Sequence, residues 1–165
     1  MIRNLVQKGC NFIILGSGEY ELEQQFEQLI REFPYNVGIY IGYNDEIAHL
    51  IYSGSDFFLM PSLFEPCGIS QMISQRYGTL PIVRQTGGLK DSVICYDNNN
   101  IDKANGFGFA PNAVEEFIRT VSFAFDIYWN LPIRKQLIKN ALETDNSWVK
   151  SAKQYLDVYH DALGK

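Results

Sequence analysis

The sequence predicts an α/β fold, a parallel sheet flanked by helices, and three observations carry that expectation. Short apolar, β-rich runs alternate with longer stretches of helical period. The joints between them are short, as strand–helix–strand units require. A run such as Phe57-Phe-Leu-Met60 is apolar on both faces, as a strand buried inside a parallel sheet should be. Right-handed crossovers follow from the chirality of the repeating unit.

Taken in order, residues 1–9 hold about two turns of possible helix and lead directly into a strand, Asn11 to Leu15, ended by Gly16-Ser-Gly18. Glu19 to Phe33 is polar, with Leu22, Phe26, Leu29 and Ile30 at helical spacing, and Pro34 stops it. Val37 to Ile41 is the next strand, closed by Gly42. A short helix from Asp45 to Tyr52 follows, its Asp45 and Glu46 suited to the positive end of the helix dipole. Phe57 to Met60 is a third strand, Gly68 to Tyr77 a helix, and Leu80 to Val83 a fourth strand. Beyond residue 92 the pattern changes. Asp97-Asn-Asn-Asn100 through Gly108 is polar and Gly-containing and reads as a surface loop. Helices follow near Ala113–Trp129, Pro132–Leu142 and Ser147–Leu163, with Pro132 suited to a first turn and Ser147 to capping. There is no internal repeat. The organisation expected is one domain over 1–165, with a β/α core in 1–92, a loop region in 93–111 and C-terminal helices in 112–165. A doubly wound sheet opens with a strand feeding a helix like that of residues 1–9, so the first strand is expected to be missing from this chain.

Composition removes several function classes. Hydrophobic residues make up 46% and aromatics 14% of 165 residues, too much for a disordered chain and enough for a core. The net charge of −5 argues against nucleic acid and anionic membrane as partners. Apolar runs such as Phe57 to Pro61 fall far short of the ~20 residues that cross a bilayer. No basic segment followed by an apolar one opens the chain, so no secretory signal is visible. Cys10, Cys67 and Cys95 are odd in number and widely spaced, without a C-x-x-C, and His49 and His160 are the only histidines. We read three inert thiols in a reducing compartment, no metal and no cofactor.

Ligands of open parallel sheets bind beyond the carboxyl ends of the strands. That rule selects Gly42-Tyr43-Asn44, Pro61 to Gly68 and Arg84 to Leu89, all expected on one rim. In the second loop, Glu65 lies three residues before Gly68, with Pro66 restraining the backbone between them. A helix starting at Gly68 leaves the amides of Gly68, Ile69 and Ser70 without intrahelical partners, a phosphate-binding arrangement to which the Ser70 hydroxyl adds a donor. A carboxylate is at home beside such a site when a sugar lies between, because a glycosyl centre losing its leaving group becomes positive. On spacing alone, capping of the helix start is an equal reading of Glu65. Thr86-Gly87-Gly88 offers flexible amides to the same ligand, or is a plain turn. Tyr43 is a rim aromatic suited to stacking on a flat base, or to packing. Gly16-Ser17-Gly18 lacks the third glycine of a dinucleotide fingerprint, Glu21 standing in its place. Neither histidine is placed by sequence to activate Cys67 as a nucleophile, and both are read as facing solvent or packing.

The segment Asp56-Phe-Phe-Leu-Met-Pro-Ser-Leu-Phe-Glu-Pro-Cys-Gly-Ile-Ser-Gln71 resembles the signature of bacterial glycogen synthases and plant starch synthases. The likeness continues in register through Tyr77-Gly-Thr-Leu-Pro-Ile-Val-Arg84 and Thr86-Gly-Gly-Leu89. It extends upstream to Ile41-Gly-Tyr-Asn44 and downstream to Gly106-Phe-Gly-Phe109 and Ser147-Trp148. The resemblance implies a retaining α-1,4-glucosyltransferase of GT-B architecture, two Rossmann-like domains facing a cleft. The donor is ADP-glucose, less often UDP-glucose, the acceptor is an α-1,4-glucan, and no metal acts at the transfer step. This chain resembles the C-terminal, nucleotide-sugar-binding domain. The resemblance implies that Glu65 is the acidic residue beside the transferred glucose and that Cys67, Gly68 and Ile69 line the glucose with backbone groups. It likewise implies that Ser70 contacts the diphosphate, where threonine is common in the family, that Tyr43 stacks on adenine, and that Thr86, Gly87 and Gly88 border the same phosphates and sugar. The family's Lys-x-Gly-Gly-Leu loop belongs to an N-terminal domain, and its phosphate-neutralising Arg and Lys precede the first helix here. Gln7-Lys8-Gly9 matches the latter by letters only. The chain by itself is therefore expected to be inactive, in a bacterial cytoplasm or a plastid. Two alternatives stand beside this reading: a non-catalytic nucleotide-sugar or glucan-binding module, and the corresponding half of a UDP-sugar transferase.

Overall fold

A computed structural model describes residues 2–164. The chain divides after Ser55 into two compact units. The first contains α1 (Ile2–Val6), β1 (Phe12–Gly16), α2 (Tyr20–Glu32), β2 (Val37–Ile41) and α3 (Asp45–Gly54). The second contains β3 (Phe57–Met60), α4 (Ser70–Arg76), β4 (Leu80–Arg84), α5 (Leu89–Ser92), β5 (Phe107–Phe109), α6 (Val114–Trp129), α7 (Leu131–Glu143) and α8 (Trp148–Ala162). Every strand pairing is parallel: β1 with β2 in the first unit, and β3-β4-β5 in that order in the second.

In the first unit, Phe12 pairs with Val37 and Gly16 with Ile41. The apolar stripe of α2 packs there: Leu29 joins Val6 and Val37, with Phe26, Ile30 and Phe33 around them. Asn44 caps α3, its side-chain oxygen accepting the Ile47 amide at 2.9 Å. In the second unit, β4 has a neighbour on each edge and is buried from Leu80 to Val83. β3 is half-buried along its whole length, unlike the two-sided burial its sequence predicts. Among the described residues its hydrogen-bonded neighbour is β4 alone, so the ladder covers one of its flanks and not both.

Two further expectations are corrected. The segment read as a loop from Asp97 through Gly108 ends in β5, whose Phe107 and Phe109 are buried and whose register sets Ile82 against Phe107. A Cβ on Gly106 would stand 2.7 Å from the Pro81 carbonyl oxygen, so glycine is what lets this segment close on β4. The first helix after β3 begins at Ser70 rather than Gly68, because Gly68 has φ +76°, outside the helical region. The three C-terminal helices form as predicted. Pro132 lies in the first turn of α7, and the Ser147 hydroxyl accepts the Lys150 amide at the start of α8. α6 packs on β4 and β5, and α7 on α4 and α6. None of the side chains of α8 is buried. Among the described residues, no helix is long and apolar enough to cross a membrane.

Candidate functional site

β3 and β4 run parallel and side by side, so the loops that leave them open at the same edge of the sheet. These loops carry every candidate residue except Tyr43. Their contact is backbone against backbone. The Gly88 amide donates to the carbonyls of Glu65 at 3.2 Å and Pro66 at 3.1 Å. A Cβ on Gly87, where φ is +47°, would lie 1.8 Å from the Glu65 carbonyl oxygen; one on Gly88 would lie 2.5 Å from that of Cys67. The glycine pair is thus the surface on which the Glu65–Cys67 segment rests. Glycine at both positions is a steric requirement of this contact, beyond what the turn alone demands.

Arg84, the last residue of β4, supports the same loop from beneath. Its Nε donates to the Ser62 carbonyl at 2.7 Å and its Nη2 to the carbonyl of Leu63. A guanidinium can serve two adjacent carbonyls at once because its donors form a fixed fork. Glu65 is half-buried, and its Oε2 accepts from the Ser62 hydroxyl at 3.5 Å. The start of α4 has no side-chain cap, which removes helix capping as the role of Glu65. Its carboxylate therefore stands at the loop mouth with a single weak hydroxyl partner.

Around it, Cys67 and Ile69 are exposed, Gly68 is buried and Ser70 is half-buried at the first position of α4. The first amides of this turn to find carbonyl partners are those of Met72 and Ile73, both on Ile69. Those of Ile69 and Ser70 precede them at the helix start and have no intrahelical carbonyl to bond, whereas Gly68 lies before the helix in a left-handed conformation. The arrangement offers backbone donors, a hydroxyl and a carboxylate along one short stretch, a set suited to holding an anion next to a polyhydroxylated group. Among the described residues, no three His, Cys, Asp or Glu side chains gather as a metal would require.

Tyr43 belongs to the first unit. It follows β2 and Gly42, whose φ is +132°, and precedes the α3 cap Asn44; its side chain is 88% exposed, so packing is not its role. His49 and His160 are exposed on α3 and α8, as their sequence positions suggest. Burial raises the pKa of the Cys95 thiol, against the opposing effect of the Gln85 amide that donates to its sulfur. Burial likewise raises that of Cys10, against the nearby charge of Lys8.

Sequence reasoning did not single out Arg84 as the support of this loop. Arg84 carried a legible signal, a cation at the carboxyl end of an otherwise apolar strand.

The model of the family described as glycosyl transferases group 1 matches residues 2–144. A glycogen synthase of Bacillus cereus (strain Q1) is 47% identical over 163 residues, covering 99% of this chain and 34% of that protein. One from Thermosipho melanesiensis is 45% identical over 166 residues, covering all of this chain and again 34% of that protein. Among solved structures, the catalytic domain of starch synthase IV from Arabidopsis thaliana, bound to ADP and acarbose, superposes with a TM-score of 0.84. It is 34% identical, over 99% of this chain and 34% of that one. A sucrose-phosphate synthase from Thermosynechococcus elongatus, 19% identical with a TM-score of 0.59 over 92% of this chain and 38% of that one, shares the fold. The chain thus spans about a third of the length of the curated relatives it matches, and with the family model covering most of it, it belongs to the group 1 glycosyl transferases.

Proposed function

We propose that this chain is the C-terminal, donor-binding domain of an ADP-glucose:α-1,4-glucan glucosyltransferase of the glycogen or starch synthase type. The observation that carries the proposal is the interlocked pair of loops at the ends of β3 and β4. They hold the backbone of Glu65 against Gly88, with the start of α4 only a few residues further along the same segment, which supports a shared role for Glu65 and the amides there. The high identity to proteins named glycogen synthase, and the ADP and acarbose held by the starch synthase structure, support the same donor and acceptor chemistry.

The sequence of events follows from that arrangement. The glucosyl C1–O bond of the donor breaks and the electron pair leaves with the diphosphate. The amides at the start of α4 and the hydroxyl of Ser70 meet the charge that develops on the leaving oxygen. The Thr86–Gly88 turn borders the same group, with the Gly87 amide as its donor, since those of Thr86 and Gly88 donate to the carbonyls of Arg84, Glu65 and Pro66. Glu65 lies beside the sugar, holding its hydroxyls and favouring the positive charge at C1. The acceptor hydroxyl attacks from the face the diphosphate leaves, and its proton passes to the departing phosphate oxygen, so configuration is retained. Tyr43, exposed at the tip of its loop, is assigned to stacking on adenine. Transfer requires a second, N-terminal domain to carry the acceptor and exclude water from the cleft.

Isothermal titration of the chain with ADP, ADP-glucose and UDP-glucose tests the reading. Saturable binding that prefers the adenine compounds supports it, and a preference for UDP-glucose above about tenfold would redirect it to a UDP-sugar transferase. In the two-domain protein, Glu65→Ala is expected to abolish transfer while leaving ADP affinity within a few-fold. A variant with near-normal turnover removes Glu65 from the mechanism.

A further inference from the structure

Gln71 is fully buried, at 0% exposure, one residue into α4. Its Nε2 donates to the Ser92 hydroxyl at 2.9 Å and to the Gly68 carbonyl at 3.1 Å, with the Cys67 carbonyl at 3.4 Å sharing the second proton. The Ser92 hydroxyl, having accepted from Gln71, donates to the Gly88 carbonyl at 2.9 Å. Gly88 in turn donates its amide to Glu65 and Pro66. The bonds close a ring: from the Glu65–Gly68 segment through Gln71 and Ser92 to Gly88, and from Gly88 back to Glu65.

One atom of this ring is left over. Gln71 Oε1 is buried and has no hydrogen-bond partner among the described residues. It sits where a Cβ on Gly68 would come within 2.6 Å of it. An orphaned buried acceptor is costly, so a glutamine held this way needs a compensating reason. Turning the amide over would not relieve it, because the oxygen would then face the carbonyls of Cys67 and Gly68 and the nitrogen would be orphaned instead. The orientation is the one that uses both protons to tie the two loops together.

We propose that Gln71 and Ser92 are positioning residues for the donor. The relay holds the start of α4 and the Thr86–Gly88 turn in one fixed relation, so that both border the same diphosphate. The inference rests on the donor-binding reading above. Neither residue touches the ligand in this arrangement; each acts through the backbone it holds.

The test uses Gln71→Met, which keeps the length of the side chain while removing the donors and the orphaned oxygen, and Ser92→Ala, which leaves the bond from Gln71 to Gly68 and the backbone bonds of Gly88 in place and removes only the hydroxyl link between Gln71 and Gly88. Titration with ADP and amide hydrogen exchange are measured on the parent chain, both variants and the double variant. Each single variant is expected to weaken ADP binding about fivefold to tenfold, the loss of one or two ordinary hydrogen bonds. The double variant should be no weaker than Gln71→Met alone, because a relay is broken once. Exchange at Gly88 should rise in both variants while exchange along β4 stays at the parent level. Parent-like ADP affinity in Gln71→Met, or losses that add in the double variant, overturns the relay even when the parent binds ADP. If the parent itself fails to bind ADP, the donor-binding reading falls, and the relay is then refuted by unchanged exchange at Gly88.

Discussion

Replacing Gly87 with alanine probes the contact on which the candidate site depends. The new Cβ would stand 1.8 Å from the Glu65 carbonyl oxygen, against ordinary contact at 3.4 Å or more, so one of the two backbones must retreat by about 1.6 Å. Neither atom is the far end of a flexible side chain. In addition, φ at Gly87 is +47°, a conformation that costs a residue with a Cβ about 1–2 kcal/mol. Adding the usual 1–3 kcal/mol for overpacking gives a destabilisation of about 2–5 kcal/mol, short of the whole stability of a typical domain. Gly87→Ala should therefore fold with the Glu65 segment displaced, rather than fail to fold. Gly88 has φ −64° and a clash of 2.5 Å with the Cys67 carbonyl, so Gly88→Ala should lose less. At Gly54, the end of α3, a Cβ would find nothing within 4 Å, and Gly54→Ala should be neutral or slightly stabilising. Urea unfolding of the three variants gives the order directly, and exchange of the Gly88 amide reports whether its bonds to Glu65 and Pro66 survive. If Gly87→Ala lies within about 0.5 kcal/mol of the parent with Gly88 exchange unchanged, the close approach is not what places glycine there.

Two further outcomes follow from ionisable groups. Asp145 accepts hydrogen bonds from the side chain and backbone of Ser147, and this holds its carboxyl below the ordinary aspartate value. A group that binds its proton less readily when folded stabilises the fold above its unfolded pKa, near 3.9, and loses that contribution as pH falls through the folded value. A carbon-detected NMR titration should place its midpoint below that of a model aspartate, and Ser147→Ala should bring it back up; a midpoint that does not move would contradict the assignment. For the cysteines, exposure orders reactivity. A disulfide reagent at pH 8 should label exposed Cys67 first and Cys95 at least about tenfold more slowly, because burial withholds its thiolate. Equal rates would mean that Cys95 is not enclosed as described.

Much of this protein is written locally in its sequence. Val37–Ile41 and Phe57–Met60 are recovered residue for residue, because a short apolar run between turn residues leaves the backbone few other ways to satisfy itself. Pro132 and Ser147 act at the first turns they mark, since a missing amide and a hydroxyl acceptor are properties of one residue and its immediate neighbours. The loops that carry Glu65 and Thr86–Gly88 were also legible, from where strands end. What tertiary structure alone decided lies between segments distant in the chain. Phe107–Phe109 is a strand only because β4 offers it a ladder and Gly106 lets it approach; three residues containing a glycine show no period of their own. The late start of α4 goes with the left-handed turn at Gly68, where a Cβ would meet the buried Gln71 side chain. The glycine pair reads as turn chemistry in sequence and proves to be a steric requirement, because the atom it must avoid belongs to Glu65, more than twenty residues earlier. Sequence patterns report what a residue needs from its neighbours in the chain; the ring through Gln71, Ser92, Gly88 and Glu65 exists only once folding has made neighbours of residues that are not.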